Sequence, residues 1–125
     1  MRSPGHKKSP NHAVREREIN RDIEIAVAGE VVARASTVIE VQEDNHPSRY
    51  YIPRGGITMG ALRKSNITTY CPFKGTACYF HVQTASKLVE NAAWSYEDPY
   101  DEHASLKDLV ALHSEDPAVE IRWLS

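Results

Sequence analysis

The sequence predicts a mainly β protein: one compact domain, barrel-like or β-tent-like, with one or two short helices. Three observations carry that expectation. About eight short runs alternate polar and apolar residues or concentrate β-branched and aromatic ones, the period-two signature of strands with a buried face. Clusters of Gly, Pro, Asn and Asp separate these runs at short intervals, as turns do in a sandwich or small barrel. Helical patterning is confined to at most two short pieces.

Residues 1–18 hold two prolines, a glycine and many charges, including Arg15-Glu16-Arg17-Glu18, with little to bury. They read as a tail that is mobile unless docked, leaving 19–125 as a single β-rich domain. Asp22 to Val27 alternates, with Ile23, Ile25 and Val27 expected inward, and Ala28-Gly29-Glu30 turns the chain into Glu30–Arg34. Thr37–Val41 is a third β-branched run, and Gln42–Ser48, with Asn45 and Pro47, is a loop. Arg49–Pro53 is short and aromatic and stops at a proline, as edge strands do. Ile57–Leu62 is read as a helical turn interrupted by Gly60. Ile67–Cys71 and Thr76–Thr84 are strands joined by Pro72-Phe73-Lys74-Gly75, and Lys87–Trp94 returns as another. After the acidic loop from Glu97 to Glu102, His103–Leu109 has a weak helical pattern, and Val119–Trp123 closes with alternation.

An apolar fraction of 41% and a charged fraction of 26% match a globular chain. No run approaches the roughly 18 apolar residues of a membrane span. The basic start of the chain is followed by no apolar segment of the signal-peptide kind, so the cytoplasm is the expected compartment and the two cysteines are expected as thiols. A net charge of −2 and a pI near 6.3 argue against a nucleic-acid partner.

Rare residue types crowd between Thr69 and Tyr96: both cysteines, both phenylalanines, one of two tryptophans and three of six tyrosines. Along Thr76–Thr84, alternation puts Cys78, Phe80 and Val82 on one face and Tyr79, His81 and Gln83 on the other. Cys71 ends a strand beside Pro72, and the Lys74 ammonium in the following turn would favour a thiolate or hold an anion. The bland reading of the same residues makes both cysteines small buried hydrophobes, Lys74 a solvated turn residue and Trp94 core. Six residues between the cysteines do not fit a zinc ribbon, and no Walker or dinucleotide glycine motif occurs. The carboxylates Glu97, Asp98, Asp101 and Glu102 would suit a hard cation, yet an acidic loop containing a proline is more commonly just solvated.

Across Val27–Ala33, Tyr50–Arg54, Thr69–Tyr79 and Asn91–Pro99 the chain resembles a bacterial and fungal family catalogued as domain of unknown function 427, also labelled a nucleotidyltransferase-type domain. The Cys-Pro-Phe-Lys-Gly and Ala-Trp-Ser-Tyr pieces carry the resemblance. It implies a β-rich fold similar to the β-tents of some zinc-binding families, without the paired cysteines that hold zinc there. Where such domains have a Phe-Tyr pair after the late helix, this chain has Leu112-His113.

The expected function is binding of a small anionic or nucleotide-like ligand in a pocket at the Cys71–Gly75 turn. Tyr50, Tyr51, Phe73, Tyr79 and Trp94 would wall it, and Lys74 and Arg54 would supply cationic contacts. The alternative is an enzyme, with Cys71 as a nucleophile served by His46 or His81, or a nucleotidyltransferase as the family label implies. The second form needs paired carboxylates on a strand, and no Asp-x-Asp pair lies on one. A small molecule is the expected partner, with no cofactor, metal, nucleic acid or membrane; a homo-oligomer is left open.

Overall fold

The computed structural model describes residues 1–124. A five-residue helix α1 (Pro4–Lys8) precedes ten strands: β1 (Val14–Ile19), β2 (Ile23–Val27), β3 (Glu30–Ala35), β4 (Val38–Glu43), β5 (Arg49–Tyr51), β6 (Leu62–Cys71), β7 (Gly75–Gln83), β8 (Leu88–Tyr96), β9 (Val110–Leu112) and β10 (Val119–Trp123). Two 3₁₀ segments, Arg54–Gly56 and Asp101–Leu106, lie between strands. The strands form three sheets, ordered β1-β4-β5, β10-β2-β3 and β6-β7-β8-β9, with every strand pair antiparallel. The fold is mainly β as expected, but the sheets do not close into one barrel. Among the described residues no helix is long and apolar enough to cross a membrane.

The four-stranded sheet serves two cores. Val110 and Leu112 of β9 join Ile23, Ile25, Val27, Val32 and Val119 in one cluster, whereas Ala111 between them joins Val41, Tyr51, Trp94 and Tyr96 in the other. Alternation along a strand sends successive side chains to opposite faces, so both faces of β9 are buried. Strand β2 is buried at all five positions, not only at its three apolar ones. It lies between β3 and β10, and Glu24 is covered by ion pairs to Arg34 (3.0 Å) and Arg122 (3.6 Å).

The segment read as a tail mobile unless docked is docked. β1 pairs with β4 from Val14↔Glu43 to Ile19↔Val38, so residue 18 falls inside a strand and is not a boundary. Upstream, the Gly5 amide (2.8 Å) and the Ser3 hydroxyl (2.7 Å) both donate to the Pro72 carbonyl. The Ser3 amide donates to the Glu102 carboxylate at 2.9 Å. His103, nearly fully buried, meets Glu16 through Nδ1 and His6 through Nε2 (2.9 Å to His6). Most of these contacts are polar, and the apolar ones are few, Val14 and Ile19 packing against the two cores and His6 and His12 meeting the Phe73 ring, so a search for apolar residues finds little to hold the segment.

The helical turn expected over Ile57–Leu62 lies earlier, at Arg54–Gly56, and Leu62 already opens β6. Gly60 at φ +82° turns the chain between them. The first half of β6, Leu62–Asn66, escapes sequence patterning because it runs along the sheet edge, where Arg63, Lys64 and Asn66 remain in water.

Candidate functional site

The turn between β6 and β7 positions the site. Gly75 has φ +117°, a region that only glycine enters without strain. The turn sets Lys74 against Glu43 at the end of β4 and Tyr96 at the end of β8, while Pro72 and Phe73 meet the N-terminal segment. Lys74 is buried rather than solvated. Its Nζ donates to Glu43 Oε1 at 2.7 Å and lies 5.9 Å from the centre of the Tyr96 ring. Glu43 also meets His12 Nε2 at 3.0 Å, and His12 stacks on Phe73 with 4.4 Å between ring centres. Burial works to raise the Glu43 carboxyl, but the bonds to Lys74 and His12 outweigh it and hold the group below its ordinary value.

Trp94 of β8 forms the opposite wall. It is 6% exposed, and its indole N–H donates to the Tyr51 hydroxyl at 3.0 Å. Burial pushes the Tyr51 phenol strongly upward, the Trp94 bond only partly opposing it. The Arg49 guanidinium sits 5.2 Å from the centre of the Trp94 ring, a cation–π distance. His113 packs on the same ring system at 4.4 Å, and Tyr79 lies 6.2 Å away. Arg49 is ion-paired to Glu115 at 2.6 Å, and that bond brings the Glu115 carboxyl down to about 2.

Between these walls lies a cleft of about 480 Å³, the size of a small-molecule site. Cys71, Lys74, Tyr79 and Trp94 all line it, together with Tyr51, Phe73 and His46. Arg54 and Tyr50 do not. Arg54 instead ties β8 to the following segment, donating to Ser95 Oγ (2.8 Å) and the Asp108 carbonyl (3.2 Å). Tyr50 packs edge-on against Trp123 at 5.4 Å, beside the other core. Of the two histidines weighed as bases, His46 lines the cleft, whereas His81 Nδ1 accepts the Asn91 amide at 3.0 Å and supports that residue at φ +51°.

Cys78 also lies outside the cleft. Burial and a hydrogen bond with Glu97 push its thiol upward, which disfavours thiolate chemistry there. Asp101 and Glu102 of the acidic loop are engaged by the N-terminal segment, at the Met1 amine and the Ser3 amide. Among the described residues, no three His, Cys, Asp or Glu side chains are grouped to hold a metal ion.

Sequence reasoning missed several lining residues, among them His12, Glu43, Arg49, Tyr96 and His113. His12 lay in the presumed tail and Glu43 and Arg49 flank a loop. Their only sequence signal was residue type.

No curated protein matches the chain. A family model described as Domain of unknown function (DUF427) matches residues 15–123. That span takes in β1 from Arg15, all of β2 to β10 and every cleft residue named above except His12, and the chain belongs to this family.

Proposed function

We infer that the cleft binds a small ligand that joins a planar ring to an anionic group, as a nucleotide does. The observation that carries this reading is the buried Lys74, placed with Arg49 in a cleft walled by Trp94, Tyr79 and Phe73. Aromatic walls favour a flat ring, and fixed cations favour a phosphate, sulfonate or carboxylate. The free thiols suit the reducing setting of the cytoplasm.

Titration calorimetry with adenosine monophosphate and with benzenesulfonate tests it. Saturable binding of either, weakened at least tenfold by Arg49→Gln, about 1.4 kcal/mol, is the expected result. Failure of both to bind at millimolar concentration would overturn it.

A second reading has Cys71 as a nucleophile, and its support is that His46 and His12 line the same cleft. Iodoacetamide should then modify Cys71 well before Cys78 in the native protein. Equal, slow labelling of both until denaturant is added would remove that reading. Nucleotidyl transfer gains less support, because the acidic-loop carboxylates stand apart from the cleft.

A further inference from the structure

We propose, building on the anion-binding reading above, that this cleft takes up protons when it binds an anion, so that its ligand is held tightly below neutral pH and released above it. The argument rests on how the charges at the cleft are paired. Its two fixed cations are already engaged: Lys74 with Glu43 at 2.7 Å and Arg49 with Glu115 at 2.6 Å. Two cations and two carboxylates cancel, so an incoming anion meets no net positive charge and must compete with a carboxylate for each cation.

Three histidines change that balance, and each faces one of the same two carboxylates. His12 Nε2 lies 3.0 Å and His46 Nδ1 3.7 Å from Glu43, and His113 Nδ1 lies 3.4 Å from Glu115. The further neighbours of these rings are the Asp44 carbonyl, which accepts from His46 at 2.8 Å, and the rings of Phe73, Trp94 and Tyr79. The Asp44 carboxylate is turned to the Ala13 amide and Arg15. Among the described residues, the other titratable groups lining the cleft are Tyr51, Tyr70, Tyr79, Tyr96 and Cys71. These become negative on titration and cannot supply a cation.

Protonated histidines would offset the charge of Glu43 and Glu115 in place, so that the positive charge of Lys74 and Arg49 attracts a ligand while the buried Lys74–Glu43 pair and the partly exposed Arg49–Glu115 pair both persist. The bound anion in turn stabilises the charged imidazoles. By linkage, binding and proton uptake reinforce each other. Histidine is the side chain whose charge ordinarily changes between about pH 5 and 8, so the cleft should gain affinity across that interval. The ligand class implied is a strong-acid anion on a flat ring, charged on both sides of the transition.

Benzenesulfonate is a suitable probe because it does not titrate in this range. Calorimetry on the full chain at about pH 8 and about pH 5.5, either side of the histidine transition, should give affinity at least about tenfold tighter at the lower pH. At an intermediate pH, buffers of different ionisation enthalpy should report net proton uptake. Combining His12→Gln, His46→Gln and His113→Gln should bring the ratio of the affinities at the two pH values toward one. Benzenesulfonamide, the neutral analogue, should show no such gain. Binding of equal strength at both pH values, or the same gain for the neutral analogue, overturns proton linkage and leaves the ligand-binding reading standing. Absence of benzenesulfonate binding at both pH values overturns proton linkage, and only if adenosine monophosphate also fails to bind does the ligand-binding reading fall with it.

Discussion

Lys74 has the sequence context of a turn lysine and the surroundings of a core residue. Removing one partner of a buried ion pair strands the other charge and costs about 3–5 kcal/mol. Lys74→Met should therefore lower stability in urea by an amount near the bottom of that range, since Glu43 keeps His12. A change below about 0.5 kcal/mol, the size seen at exposed positions, would return the lysine to solvent. Trp94 gives a second check. Tyr51→Phe leaves the buried indole N–H without its acceptor and should cost about 1–3 kcal/mol. Trp94→Ala should cost about 3–5 kcal/mol through the cavity it opens.

At the level of elements, the N-terminal segment is held by few but specific contacts. A Cβ on Gly5 would stand 2.7 Å from the Pro72 carbonyl oxygen, closer than packing allows, so Gly5→Ala should release this segment. Hydrogen exchange should then quicken at residues 3–12 while β6 to β8 stay protected, and protection unchanged from the parent protein would contradict the docking. This element also marks where the sequence stopped being readable. Strands with an apolar face, such as β2, β7 and β10, were legible from alternation. So was the crowding of Cys71, Lys74, Tyr79 and Trp94 near one turn. What was hidden depends on pairing across distance. β1 is polar and is specified by its register with β4, β9 is only three residues long, and Arg54 was assigned to the pocket although it braces Ser95 and Asp108 from behind it. Composition says that an arginine is cationic, but only the fold says which way it faces.

For the molecule as a whole, three depressed carboxyls predict the acid limit. Glu16, bonded to His103 and Ser105 against an opposing burial effect, Glu43 and Glu115 all lie below their ordinary value. A carboxyl with a depressed folded value stabilises the native state above its unfolded pKa and loses that contribution as pH falls through the folded one. The melting temperature should accordingly decline below pH 4.5, and for Glu115 the decline should run down to about 2. A melting temperature flat across that window would mean that these pairs do not hold in solution. Topology imposes a separate constraint. β2 is flanked by β3, made immediately after it, and by β10, made last. During synthesis, therefore, one edge of β2, with its apolar Ile23, Ile25 and Val27, stays open until Val119–Trp123 has been made and has emerged. An unpaired apolar edge invites pairing with other chains, so nascent chains stalled before Val119 should depend on chaperones that the finished protein can do without.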